Sequence, residues 1–341
     1  MLDLLKSGLR YGPVYAVCQS SIESDRPLDP ASTWAFWTKP RSKLIKLFVE
    51  NYPPAPIVRR ILDATPSERH RSDLDDYYKM PAEFFMLWLD RKYAFCSCAQ
   101  FSDQATTLED AQIRKAERIL GMIDPRAGDR LLELGCGWGA MIGYIRDAFP
   151  GGVSTDAITN SPTQANFISR KYGVQVTVGD FIEHEYPPES YDRIYSMGAW
   201  EHVPPRDVAP LVRKLFGALK PGGRLVQQFN CAERQQTPGT VLLNQLFFTG
   251  LEFVSRDEQV TAAEAAGFVL LQERTNDYRP TWKAWYDRLA ENSRAAIQLV
   301  GVREYNRALL LLVLAWKMID EGFARNHQFC FEKPIDGRRG P

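Results

Sequence analysis

Three glycines at alternate positions, Gly135, Gly137 and Gly139, carry the clearest chemical signal in the chain. They follow the apolar run Leu131-Leu132-Glu133-Leu134, and a helical pattern runs from about Trp138 to Ala148. Strand, glycine turn, helix is a nucleotide-binding arrangement. Glycine permits backbone angles and a close ligand approach that a Cβ would block. The spacing is Gly-x-Gly-x-Gly, not the Gly-x-Gly-x-x-Gly of dinucleotide sites, and an acid, Glu133, stands two residues ahead of the first glycine. A plain glycine turn in an α/β protein is the alternative. Metal chemistry has little support. No Cys-x-x-Cys occurs, and the four histidines are His70, His184, His202 and His327, which argues against a zinc site.

The elements that must position this loop form an α/β pattern. Candidate strands are Arg130–Leu134, Val153–Ile158, Val174–Val178, Tyr191–Ser196 and Gly223–Phe229, with helical segments over 138–148, 161–171 and 206–219 between them. Two later strands, Phe268–Gln272 and Gln328–Glu332, flank a long helical block over 281–324. Alternating strands and helices predict a mostly parallel sheet with helices on both faces, and the late strands close it as an antiparallel pair. Upstream, Leu108–Ile123 reads as a helix capped by Thr106 or Thr107, and Pro81–Leu89 as a shorter one. Leu2–Leu9, Arg41–Asn51 and Ile57–Ala64 are further helical segments, whereas Pro27, Pro30 and Pro40 around Trp34 and Trp37 predict irregular structure over 26–40.

Composition narrows the class. At 341 residues, 45% apolar and 25% charged, the chain is long enough for a sizeable core. A formal net charge of zero argues against nucleic acid as a partner. Six cysteines in this length are no disulfide scaffold and fit a reducing, cytoplasmic compartment. The N-terminus lacks a signal peptide's apolar region, and the longest apolar run, Ala308–Trp316, is too short to span a bilayer. Six basic residues against one acid, Glu50, between Lys39 and Arg60 suit either a peripheral contact with an anionic membrane surface or a solvated helix face.

Several further motifs fall in order: Tyr77-Tyr78-Lys79-Met80-Pro81 with Glu83-Phe84-Phe85, Ser97-Cys98-Ala99-Gln100-Phe101, Thr107-Leu108-Glu109-Asp110-Ala111-Gln112, Gly135-Cys136-Gly137-Trp138-Gly139, and Gly198-Ala199-Trp200-Glu201-His202. Over about residues 75–333 the chain resembles the cyclopropane-fatty-acid and mycolic acid cyclopropane synthases, a family of S-adenosylmethionine (SAM)-dependent methyltransferases. Plant coclaurine-type N-methyltransferases look similar too. The resemblance implies a Rossmann-like class I methyltransferase fold with a seven-stranded sheet over 76–341, helical insertions around the acceptor, and a helical N-terminal extension over 1–75.

It also implies roles. Ser97, Glu133, Gly135, Cys136, Gly137 and Gly139 would hold the amino-acid part of SAM, and Thr159, Asn160 and Gln164 its ribose. Asp156 is the alternative ribose reader from general Rossmann spacing, although it falls inside the strand pattern. Asp180 and Phe181 follow the third strand, near the adenine; a helix cap is the other reading of Asp180. In the cyclopropane synthases a Cys, Glu, His and Tyr hold a bicarbonate that serves as base. Cys98, Glu201 and Tyr278 match three of these, but the His falls on Gln228 and the neighbouring apolar position on Asn230. Gln cannot carry charge or titrate near neutral pH, which puts bicarbonate and ring closure in doubt. Glu201 with His202 forms an acid–imidazole pair suited to proton removal; a turn cap and a packed imidazole are the alternative. The expected reaction is methyl transfer to an unsaturated carbon of a lipid-like or isoprenoid-like acceptor, with or without ring closure. N- or C-methylation of a small specialised metabolite, or SAM binding without catalysis, are the rivals.

Overall fold

The computed structural model describes residues 16–39, 77, 79–103, 107–233, 246–247 and 253–335. The expected helices over 2–9, 41–51 and 57–64, and most of the basic stretch, lie outside these residues. In chain order the elements are α1 (Pro30–Thr38), α2 (Ala82–Met86), α3 (Leu108–Ile123), β1 (Arg130–Leu134), α4 (Ala140–Ala148), β2 (Ser154–Thr159), α5 (Pro162–Tyr172) and β3 (Val176–Val178). Then follow β4 (Tyr191–Met197), α6 (Pro205–Ala218), β5 (Leu219–Ala232), α7 (Arg256–Ala266), β6 (Val269–Asn276), α8 (Arg279–Glu291), α9 (Ser293–Asp320) and β7 (Ala324–Glu332).

The chain divides into two compact units. One comprises Leu89–Ala232, Phe253–Tyr278 and Arg325–Pro341. It holds a seven-stranded sheet in the order β3-β2-β1-β4-β5-β7-β6. β3, β2, β1, β4 and β5 run parallel, and β6 pairs with β7 antiparallel. Because side chains alternate across a strand, the sheet sorts its residues onto two faces. Leu132, Leu134, Ile194, Leu225 and Phe229 pack on one, with α6 and α7. Leu131, Tyr195, Val226 and Cys330 pack on the other, with Ala116, Ile119 and Ile123 of α3. By the same parity Glu133, Gln228 and Gln328 belong to the α3 face. Arg193 fixes that helix to the sheet: its guanidinium donates to the carbonyls of Ile123 at 2.7 Å and Asp124 at 3.0 Å. Thr107 caps α3, accepting from Asp110 N at 3.2 Å. β5 begins earlier than its glycines suggested. It runs from Leu219 through Pro221-Gly222-Gly223 as an irregularity in the β4 register, with Gly222 at φ +77° and its N–H bonded to Lys333 O at 2.7 Å.

The other unit comprises Met1–Trp88, Glu233–Glu252 and Arg279–Ala324, and its described helices are α1, α2, α8 and α9. The irregular structure expected over 26–40 is in fact α1. Asp29 accepts from Ser32 N at 2.8 Å and Pro30 occupies the first turn, where a proline starts a helix rather than breaking one. Trp34 packs against Tyr286 and Trp316 with ring centroids 4.7 and 5.2 Å apart. The buried Asn306 of α9 ties in the residues before α1: its Oδ1 accepts from Leu28 N at 2.8 Å, and its Nδ2 donates to the carbonyls of Ser21 and Arg26, each at 3.1 Å. The block over 281–324 is two elements, and α9 is itself broken at Gly301 (φ 81°, ψ 169°).

Candidate active site

The glycine loop leaves the C-terminal end of β1. Gly135, Gly137 and Gly139 all take left-handed φ angles, of 69°, 52° and 73°. Their surroundings differ. A Cβ on Gly135 would collide with Ala199, and one on Gly139 would come within 2.9 Å of Ile168. At Gly137 nothing lies within 4 Å of the Cβ position. The two outer glycines permit close packing of the loop, and the middle one faces open space that a ligand can fill. α4 begins at Gly139 with no side-chain cap, leaving its first N–H groups for an anionic partner. These observations fit the amino-acid end of SAM, with its carboxylate and ammonium.

Polar side chains surround the loop. Glu133 is buried on β1, and Tyr195 donates to its carboxyl at 3.3 Å. Burial pushes Glu133 up to about 8, against smaller opposing effects of Tyr195 and Lys115. Ser97 is buried between α3 and Gly198: Lys115 Nζ donates to its hydroxyl and Gln112 Nε2 to its carbonyl, both at 3.0 Å. Gln112 ends the Thr107–Gln112 motif, whereas no motif marks Lys115. Their signal was a charged and a polar residue at the centre of the apolar stripe of α3, between Ala111 and Ile119. Cys136 is buried, and burial holds its thiol well above the usual range.

At the tip of β2, Thr159 donates to Gln164 Oε1 at 2.7 Å, so two of the expected ribose readers are already oriented by each other, with half-buried Asn160 between them in sequence. Asp156 lies toward the opposite end of the strand, accepting from Arg130 at 2.7 Å, which removes it as ribose reader. Asp180 accepts from Ile182 N at 2.8 Å in an Asx turn, and no helix follows it to be capped. Phe181 stacks on Trp200 with centroids 6.4 Å apart.

Of the expected acceptor-site residues, Gln228 meets Cys98, and Glu201 meets the backbone of β5 at Asn230. Glu201 lies in a short turn over Trp200–His202 after β4. Its Oε1 accepts from Asn230 N at 3.0 Å, while its Oε2 is buried without a hydrogen-bond partner. Burial raises this carboxyl to about 7, partly offset by backbone N–H groups including that of Asn230. His202 is half-buried in the same turn. Gln228 Nε2 donates to Cys98 O at 2.8 Å, and Gln228 Oε1 accepts from Gln328 at 3.2 Å. The Cys98 thiol faces the carbonyls of Ala99 at 3.4 Å and Asp277 at 3.9 Å, beside buried Tyr278. Thus Gln228 and Cys98, two of the four positions that hold bicarbonate in cyclopropane synthases, direct donors at backbone carbonyls. The residues present do not fit an anion cage. Among the described residues no cluster of His, Cys, Asp and Glu could hold a metal ion.

A mostly parallel seven-stranded sheet with an open glycine cradle after β1 and an acid after β4 is the architecture of the Rossmann-like class of SAM-dependent methyltransferases, and sequence and structural relatives place the chain there. Residues 65–329 match the family described as mycolic acid cyclopropane synthetase, and the chain belongs to that family. It is 29% identical over 290 residues to cyclopropane mycolic acid synthase MmaA2 of Mycobacterium tuberculosis, covering 80% of this chain and 99% of that protein. The solved structure of MmaA2 superposes with a TM-score of 0.72 at 25% identity, over 80% of this chain and 100% of that one. Coclaurine N-methyltransferase bound to N-methylheliamine and S-adenosylhomocysteine shares the fold, with a TM-score of 0.64 at 19% identity over 90% of this chain and 100% of that one.

Proposed function

We propose that this methyltransferase adds a methyl group to an unsaturated carbon of a lipid-like or isoprenoid-like acceptor, and that Glu201 removes the proton that completes the reaction. Bound SAM supplies an electrophilic methyl group. The acceptor's π electrons form the new carbon–carbon bond as the carbon–sulfur bond breaks, its electron pair staying on sulfur. The acceptor is left as a carbocation, and loss of a proton from an adjacent carbon restores a double bond.

The chain's own residues orient, neutralise and deprotonate. The glycine loop and the residues around Ser97 fix the donor, and much of the rate comes from that positioning. The single observation that carries the reading is the bare, buried Oε2 of Glu201. Its other oxygen is held by Asn230 N, so the free one is a fixed acceptor for a proton and a fixed negative charge beside a cation. A carboxyl lifted to about 7 can take up a proton near neutral pH. With Gln228 engaged by Cys98 and Gln328, the proton goes to Glu201 rather than through bicarbonate, and the product is a methylated alkene rather than a cyclopropane. The same carboxylate suits deprotonation of an amine, and the shared fold with coclaurine N-methyltransferase supports N-methylation as the second reading.

No helix of the described residues is long and apolar enough to cross a membrane. The test is SAM consumption against a lipid extract and an amine panel, with product mass and NMR determined with and without bicarbonate. A cyclopropane whose rate rises steeply with bicarbonate would overturn the Glu201 mechanism.

A further inference from the structure

Methyl transfer as described leaves Lys115 without a task, although it lies at the edge of the cradle. It is fully buried on α3. An ammonium has three donors, yet among the described residues the hydrogen bond of Lys115 is to Ser97 Oγ at 3.0 Å, and no carboxylate lies within ion-pair distance. The Phe95 ring centroid is 3.5 Å from Nζ. The titratable groups facing it are Asp90, Glu133 and the thiols of Cys96 and Cys98. Asp90 spends its oxygens on the N–H groups of Tyr93 at 2.8 Å and Phe95 at 2.5 Å. Burial pushes the Cys96 thiol up to about 12, which keeps it neutral.

A buried ammonium with so few partners is costly. Burial accordingly pulls Lys115 down to about 7, while it pushes Glu133 up to about 8. Both shifts run toward the neutral forms, so burial favours an amine and a carboxylic acid in the free protein near neutrality. The direction of the Lys115–Ser97 hydrogen bond then depends on the proton. An amine nitrogen can accept from the serine O–H or donate to its oxygen. An ammonium cannot accept, so Ser97 Oγ must take its N–H and turn its own proton away.

We propose that binding of the cofactor's amino-acid end charges Lys115, and that charged Lys115 turns the Ser97 hydroxyl outward to donate to the cofactor's carboxylate. Lys115 is thus a positioning residue acting through Ser97, and the proposal rests on the cradle assignment. The protons balance within the protein near neutrality. One leaves Glu133 as its carboxylate meets the cofactor's ammonium, and one arrives on Lys115, with no net exchange with solvent. Above about 8, where Glu133 is already ionised, Lys115 must draw its proton from solvent; below about 7, where Lys115 is already charged, Glu133 releases one.

Calorimetric titration of the full chain with S-adenosylhomocysteine, in buffers of differing ionisation enthalpy, counts these protons without any turnover. Wild type should bind with a near-zero count between pH 7 and 8, with uptake at pH 8.5 and release at pH 6, so affinity falls on both sides. Lys115→Met should weaken binding about 10- to 100-fold, the scale of one hydrogen bond to a charged group, and shift the count at pH 8.5 away from uptake. Ser97→Ala should cost a similar factor, and the double variant no more than either single one, because both act on one contact. Additive losses, or an unchanged proton count in Lys115→Met, would refute the proposal and leave Lys115 a structural role. If Lys115→Met fails to fold, the wild-type count decides alone: no uptake at pH 8.5 overturns the proposal. Failure of wild type to bind S-adenosylhomocysteine would overturn the cradle assignment, and the proposal with it.

Discussion

Glu201→Gln separates chemistry from architecture and should move activity and stability in opposite directions. The amide keeps an oxygen to accept from Asn230 N and nearly the same volume, so the turn over Trp200–His202 should hold. What it removes is a proton acceptor. Losing a general base typically costs 10²- to 10⁴-fold in rate, and that loss should appear in kcat with S-adenosylhomocysteine affinity unchanged. Stability should rise. The folded carboxyl sits at about 7 against an ordinary value of 4.5, because burial disfavours its charge. The fold therefore favours the protonated form. The stability this group contributes is complete below about 4.5, falls as pH rises from there to about 7, and is gone above it. A shift of this size corresponds to roughly 3 kcal/mol between the two ends of that window. Glu201→Gln escapes the loss, so it should match wild type at pH 4 and exceed it at pH 8 by up to about 3 kcal/mol. Urea unfolding at the two pH values, together with a pH–rate profile whose lower limb in wild type lies near 7, checks both halves. A variant no more stable than wild type at pH 8, or one that retains full turnover, would refute the assignment of Glu201 as a desolvated base.

Gly137→Val should abolish S-adenosylhomocysteine binding in calorimetry, because its Cβ meets no protein atom within 4 Å and enters ligand space, and a valine at φ 52° should also lower the melting temperature, with circular dichroism checking that the fold persists. Gly135→Ala should instead lower the melting temperature, since its Cβ collides with Ala199 on a left-handed backbone. Asn306→Ala removes the one accepted and two donated hydrogen bonds that hold residues 21–28, and should cost about 2–3 kcal/mol in urea unfolding. Wild-type turnover should not respond to added bicarbonate, as read by product mass.

Much of the sheet was legible because its signals are local. Arg130–Leu134 and Leu108–Ile123 keep the bounds that their patterns set, since a glycine turn ends the one and Thr107 and Asp124 bound the other. α1 is hidden in the sequence because Pro30 looks like a breaker unless Asp29 is weighed as its cap. The early start of β5 is not legible locally, because the Pro-Gly-Gly bulge is supported by Lys333, more than a hundred residues away. In the site, the glycine cradle and Glu201 were visible as residue types at set spacings. The bonds from Gln228 to Cys98 and from Lys115 to Ser97 were not, because they join partners 130 and 18 residues apart in sequence. Pattern assigns a residue to a face; only the folded chain shows which donor it satisfies.

The strand order carries a consequence for how the protein is made. β7 sits between β5 and β6, yet it is the last of the seven strands to be synthesised. Until it leaves the ribosome, β5 presents an unpaired edge and β6 has no neighbour in the sheet. Exposed edges of this kind recruit other chains. The nascent chain must therefore wait with its first five strands paired and its sheet open. Gln328, which completes the hydrogen bonds of Gln228, arrives with that same strand. A ribosome stalled before β7 would release a chain able to build the glycine cradle but prone to aggregate, so chaperone demand should fall on the last stage of synthesis.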